Sequence, residues 1–210
     1  MLSDDTFEGL AAYVGRQTPK LGGVRLVAVD GPSGAGKTRF AVRLAKRLDA
    51  PVVHADDLLD GWDDQFTFWP RLESQVLAPL RRGRAGGYRK YLWHRGRFGD
   101  ETVTVEPAPV VVLEGVGSAR RVIRPELSLT VFVDAPPELR LSRALARDGD
   151  DSVAFRAYLE RWRAAEDRHF AEDDTVANAD LVVDGAAEAG DDRFVGIRPA
   201  KDGWDDDDRR

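Results

Sequence analysis

Residues 31–38 read Gly31-Pro32-Ser33-Gly34-Ala35-Gly36-Lys37-Thr38, a full match to Gly, any four residues, then Gly-Lys-Ser/Thr. Glycines at this spacing let successive backbone N–H groups converge on phosphate oxygens. A helix opening at Lys37 adds a dipole that favours an anion. Lys37 is placed to reach the β and γ phosphates, and the Thr38 hydroxyl to ligate Mg²⁺. A chance glycine-rich turn would satisfy the spacing alone. It would not explain the apolar strand before the loop and the helix after it. The pattern therefore predicts nucleoside triphosphate binding across residues 31–38.

Three further sets of residues suit phosphoryl chemistry. Asp56 and Asp57 follow the short β-branched run PVVHA at 51–55. A carboxylate at the C-terminal end of a strand beside the phosphate-loop strand faces the crevice where acceptors bind. It can take the proton from an attacking hydroxyl. Adjacent residues point differently, so one of the two faces the site while the other is solvated or caps a helix. Glu114 ends the run VVVLE and can there hold Mg²⁺-bound water or polarise an acceptor. Arg140, Arg143 and Arg147 recur at helical spacing and share a face, able to clamp a transferring phosphoryl group. An ordinary solvated arginine-rich helix explains them equally, because 26 of the 31 basic residues are Arg.

Strands and helices must alternate to position these groups. Strand candidates are VRLVAV (24–29), PVVHA (51–55), VVVLEG (110–115), LTVFVDA (129–135) and LVVDG (181–185). Helices are expected from a Ser3 or Asp4 cap to Arg16, from Lys37 to about Leu48, and over 71–81 despite Pro79. Two more are expected over 137–148 and 152–170. TVTVE alternates as an extended or hairpin segment. This order predicts an α/β fold with a parallel sheet flanked by helices. The expected division is an N-terminal helix and linker (1–23), a core domain (24–185) and an acidic, disordered or loosely docked tail (186–210).

Composition narrows the function. The 210 residues hold no Cys, which excludes disulfide frameworks, thiolate metal sites and cysteine catalysis. The net charge of −6 argues against broad wrapping on nucleic acid. The tail contributes eight acids against five bases, so half of that charge lies outside the core. No apolar run is long enough to span a membrane, and the N-terminus lacks a secretory pattern, so a cytoplasmic location is expected. His169 reads as an ordinary surface histidine. The aromatics Trp62, Phe66, Phe68, Trp69, Tyr88, Tyr91 and Trp93 could stack a substrate ring or pack the interior.

Together these motifs resemble the uridine kinase (uridine–cytidine kinase) family, grouped with phosphoribulokinase, pantothenate kinase and nicotinamide riboside kinase. The resemblance covers about residues 24–184. GPSGAGKT is similar to its phosphate loop, and Asp56-Asp57-Leu58-Leu59 to an Asp-Ser-Phe-Tyr segment whose first Asp is the general base. Tyr91-Leu92-Trp93 with ETVTVEP (101–107) is similar to a Tyr-Asp-Phe segment and its downstream strand. LEG (113–115) and RLSRALARD (140–148) are similar to the family's Leu-Glu-Gly and lid helix. The resemblance implies a P-loop NTPase three-layer sandwich with a helical lid. It implies Asp56 as base, Tyr91, Glu114 and Arg140 at the acceptor, and Arg143 and Arg147 at phosphates. Thr38 and Glu114 would serve Mg²⁺. Leu92 and Gly96 depart from it, standing where the family has Asp and a base-reading His.

The implied activity is transfer of the γ-phosphate of ATP to a small hydroxyl-bearing metabolite, foremost a nucleoside 5′-hydroxyl, with ATP and Mg²⁺ required. Other acceptors such as pantothenate, a riboside precursor or a sugar acid share the mechanism. A regulatory ATPase without a small acceptor is the reading from another class. No Asn-Lys-x-Asp guanine-reading motif occurs, which disfavours a switch GTPase. No nucleic acid polymer or membrane partner is expected. Oligomeric state is not readable, and a homo-oligomer stays open.

Overall fold

The computed structural model describes residues 4–149 and 152–198. Its elements run β1 (Asp4–Thr6), α1 (Phe7–Arg16), β2 (Arg25–Asp30), α2 (Lys37–Leu48) and β3 (Val52–His54). The helical stretch α3 (Trp69–Leu72), a π turn (Glu73–Leu77) and α4 (Ala78–Arg81) follows. Then come β4 (Gly86–Leu92), β5 (Arg97–Val105), β6 (Val110–Glu114) and β7 (Leu127–Asp134). The order closes with α5 (Pro137–Asp148), α6 (Val153–Glu172), β8 (Leu181–Asp184) and β9 (Arg193–Arg198).

The main sheet has the order β1-β9-β8-β7-β2-β6-β3, parallel from β8 to β3. The strands β2, β6 and β7 are buried along nearly their whole length, as runs covered on both faces must be. Side chains alternate across β2: Val27 and Val29 pack towards α1 and α2, while Leu26 and Ala28 face the layer containing Leu72, Leu77 and Leu80. The result is the expected helix–sheet–helix sandwich. The strands β4 and β5 form a separate antiparallel hairpin, as TVTVE anticipates. The helical run over 69–81 tolerates Pro79 through the π turn one residue before α4, because proline offers no N–H to the preceding turn.

Both expected outer boundaries move. The first helix starts at Phe7 with the Thr6 hydroxyl accepting from Gly9 N, while Asp4 lies in β1; Ser3 lies outside the described residues. This helix buries Phe7, Leu10 and Val14 in the main core, so it is no separate appendage. Residues 193–198, expected to belong to a loose tail, instead extend the sheet between β8 and β1. Phe194 anchors them, its ring 5.4 Å from both Phe7 and Phe40. One buried aromatic on a short strand suffices for docking but leaves too little periodicity to read. The KDGWDDDDRR end lies outside the described residues.

Candidate active site

The loop after β2 is shaped by glycines. Gly31, Gly34 and Gly36 have φ of +136°, +78° and +104°. A Cβ on Gly31 would lie 2.1 Å from the Val133 carbonyl oxygen, so no side chain fits. Pro32, Ser33 and Ala35 fill the turn, and Lys37 starts α2 with its Nζ donating to the Pro32 carbonyl at 3.1 Å. The Thr38 hydroxyl donates to Glu114 Oε1 at 3.1 Å. Glu114 is buried, and its other oxygen lies 2.7 Å from His54 Nδ1. That hydrogen bond raises the imidazole's proton affinity against its partial burial.

A residue that sequence reasoning passed over supports the loop from beneath. Asp30 is fully buried and accepts from the backbone N–H groups of Gly31 (2.7 Å), Gly117 (2.9 Å) and Ala119 (2.8 Å). Burial pushes its pKa up to about 6, although those N–H groups and Lys37 pull the other way. The folded chain thus holds this proton more tightly than the unfolded chain. The associated stability, about 3 kcal/mol, is present at low pH and is lost as pH rises from about 4 through about 6. Carboxyl NMR should show Asp30 titrating near 6; a midpoint in the ordinary range would contradict this.

The lid arginines divide. Arg143 Nη1 donates to the carbonyls of Gly34 (3.1 Å) and Ala35 (3.4 Å), and Nη2 to that of Gly185 (3.0 Å). It clamps the loop backbone. Arg140 is buried with its own carbonyl against Gly34, and its Nε and Nη1 find no protein partner among the described residues. Of the three, Arg147 alone lines the larger cavity beside the loop, and its charge lowers the proton affinity of Asp56. Gly185 completes the clamp: a Cβ there would lie 1.9 Å from the Ala35 carbonyl oxygen. Gly185→Ala should therefore displace the loop, destabilise the fold by about 1–3 kcal/mol and weaken binding of an ATP analogue about tenfold. Denaturant unfolding and calorimetry check both effects.

That cavity, of about 340 Å³, lies above the C-terminal ends of β2 and β3. Ser33, Asp56, Arg147 and the rings of Trp62, Trp93 and Trp162 line it. Asp56 follows β3 in a 3₁₀ turn, Ala55–Leu58. Its side chain opens into the cleft, yet the surrounding protein raises its proton affinity, with Glu114 and Asp57 adding and Lys37 and Arg147 opposing. Asp57 turns away to accept from the Tyr88 hydroxyl at 3.3 Å and to pair with Lys90 at 3.1 Å. The two adjacent carboxylates are thereby separated, and Asp56 is the one in the cleft.

Other expected acceptor residues do not line this cavity. Tyr91 packs behind Trp93 at 5.1 Å and on Phe98 at 5.3 Å. Glu114 faces Thr38 and His54, and Arg140 lies under the loop. His169 is no surface histidine: it is half-buried, lies on the Phe66 ring at 4.7 Å, and its Nε2 is enclosed beside Gly117. Among the described residues no three His, Asp or Glu gather as a metal cage. The Thr38–Glu114 pair nevertheless suits Mg²⁺, which typically takes one or two protein oxygens plus phosphate and water.

Sequence reading expects α6 as a helix but gives Trp162 and Glu166 no role at the site. Trp162 and Glu166, one helical turn apart, face the phosphate loop. Tyr158 and Trp162 pack on Trp62 with centroids at 5.1 and 5.3 Å. The i, i+4 aromatic stripe was the available signal. A second, smaller cavity of about 180 Å³ lies on the other side of the loop, walled by Gly36, Arg39, Arg43, Arg143, Gly185 and Ala187.

The model of the phosphoribulokinase/uridine kinase family matches residues 68–184, more than half of the chain. The chain belongs to this family. A uridine kinase from Macrococcus caseolyticus is 25% identical over 140 residues, 59% of this chain and 68% of that protein. One from Schizosaccharomyces pombe is 29% identical over 145 residues, 60% of this chain and 32% of that protein. A crystal structure titled a possible uridine kinase from Bacillus stearothermophilus shares the fold. Its TM-score is 0.60 at 20% identity, covering 84% of this chain and 96% of that one. Family and fold together make this protein a P-loop kinase, a phosphotransferase to a hydroxyl acceptor. No helix among the described residues is long and apolar enough to cross a membrane.

Proposed function

We propose that the chain transfers the γ-phosphoryl group of ATP to a primary hydroxyl of a small, ring-bearing acceptor, foremost the 5′-hydroxyl of a uridine- or cytidine-like nucleoside. One observation carries the reading: a single cavity is walled by both Ser33 of the phosphate loop and Asp56. An acceptor held there meets the end of a triphosphate lying on the loop. The smaller cavity beside Arg39 and Gly185 suits the nucleotide's base and ribose.

Asp56 takes the proton as the acceptor oxygen forms its bond to phosphorus and the bond to the ADP oxygen breaks. Its raised proton affinity makes it a stronger proton acceptor than an ordinary aspartate. Lys37 and Arg147 neutralise charge on the transferring group, while Arg143 keeps the loop carbonyls turned away from it. Thr38 and Glu114 would hold Mg²⁺, which supplies charge screening at the β and γ phosphates. The tryptophan walls stack a flat ring and exclude water, favouring transfer over hydrolysis.

A second reading, an acceptor other than a pyrimidine nucleoside, draws on the same cavity. Among the described residues no Asn, Gln or His side chain lines it to read a base edge, and Leu92 and Gly96 stand where the family has polar readers. ADP release should be measured with pyrimidine and purine nucleosides, ribosides, pantothenate and sugar acids. Turnover confined to the nucleosides is the expected result. Turnover with another alcohol alone selects the second reading, and acceptor-independent ADP release overturns both.

A further inference from the structure

Glu166 is a buried charged group that this chemistry leaves unused. It is fully enclosed on α6 yet collects donors from three separate segments. The Ser33 backbone N–H lies 3.2 Å from both carboxylate oxygens, and the Ser33 hydroxyl also donates to it. Trp162 Nε1 donates at 2.9 Å, and Gln65 Nε2 approaches at 3.4 Å. Trp162 Nε1 is also 3.2 Å from Ser33 Oγ, so the three residues close a ring of hydrogen bonds. Burial raises the carboxyl's proton affinity, while Lys37 and the bonds from Ser33 and Trp162 lower it.

The position is a poor choice for mere packing. Enclosing a carboxylate costs several kcal/mol unless it is well paired, and an apolar side chain would seat α6 without that cost. Here the negative charge also lies against a loop whose N–H groups recruit phosphate, where it opposes an incoming triphosphate. Two of its partners have functions of their own. Ser33 belongs to the loop, and both Ser33 and Trp162 wall the cavity that holds Asp56. The Trp162 ring meets Trp62 edge-on at 5.3 Å and 87°, so moving one moves the aromatic wall.

We infer that Glu166 is a positioning residue that ties the acceptor-cavity wall, through Trp162, to Ser33 of the phosphate loop, so that nucleotide arriving at the loop resets the shape of the acceptor cavity. The identity of the two substrates rests on the kinase reading above; the mechanical link does not need turnover to be seen. A triphosphate's charge weakens the Ser33–Glu166 contact. Trp162 follows because it shares the carboxylate one turn away on the same helix.

The test combines calorimetry of a non-hydrolysable ATP analogue with tryptophan emission and acceptor kinetics. In the wild-type protein the analogue should bind and shift the emission. Trp162→Phe should keep binding and lose most of the shift. Glu166→Ala should bind the analogue at least as tightly, lose most of the shift, and raise the acceptor KM about tenfold with a smaller change in kcat. Glu166→Gln keeps an oxygen for Trp162 and Ser33 but removes the charge. It should hold the acceptor KM within about threefold of wild type and tighten analogue binding severalfold. An unchanged emission shift and acceptor KM in Glu166→Ala would overturn the inference, whatever its melting temperature. If that variant does not fold, unchanged analogue affinity in Glu166→Gln overturns it. A wild-type protein that fails to bind the analogue at all overturns the kinase reading itself, and this coupling with it.

Discussion

Asp56→Asn should lower kcat by about 10²–10⁴-fold while leaving the affinity for an ATP analogue within about threefold. The substitution keeps the side chain's size and removes its ability to take a proton. Asp56 makes no contact that holds the loop; the loop is held by Asp30, Arg143 and Gly31. Its environment is also tuned, since the surrounding protein with Glu114 and Asp57 raises its proton affinity and Lys37 and Arg147 restrain it. Asp57→Asn is the matched control. It perturbs the contacts to Tyr88 and Lys90 at the hairpin and should leave kcat within about tenfold of wild type. Single-turnover phosphoryl transfer measures both. Full activity in Asp56→Asn would remove the base from the mechanism.

Lys37→Ala should reduce kcat/KM by at least about 10³-fold and weaken ATP-analogue binding enough to register by calorimetry. Lys37 is buried at the first turn of α2 with its ammonium on the Pro32 carbonyl, poised over the concave side of the loop. On the proposed mechanism, losing it removes a cation that neutralises charge on the transferring group. It also removes a charge that lowers the proton affinity of Asp56, so any residual activity should require a higher pH than in the wild type. Activity within tenfold of wild type, or an unshifted pH profile, would argue that the ammonium is not engaged with phosphate.

The phosphate loop was legible because its chemistry is contiguous. Eight consecutive residues supply the turn, the cation and the hydroxyl, and the strand before and helix after them are periodic enough to read. Five parallel strands could be named for the same reason, being continuous, largely apolar runs. The pair Asp56-Asp57 marks the limit of that legibility. Both carboxylates are visible in the chain, but their separation depends on Tyr88 and Lys90 reaching across from β4. The spacing of Arg143 leaves a solvated helix open and the family resemblance implies a phosphate for it; in the fold it donates to three backbone carbonyls.

Residues that act through distant partners left no local trace. Asp30 is one apolar-strand acid until Gly117 and Ala119 are seen to donate to it. Glu166 stands 133 positions from Ser33, on α6. Phe194 docks β9 through a single ring between Phe7 and Phe40.

The order of residues alone settled the α/β class, the triphosphate loop and the shortlist of carboxylates and guanidinium groups, because backbone turns and hydrophobic periodicity are short-range properties. Which carboxylate faces the cleft, what the lid arginines grip and how the aromatic wall joins the phosphate loop were decided by the tertiary fold. Hydrogen-bond geometry and burial are fixed only when segments far apart in the chain are packed against one another.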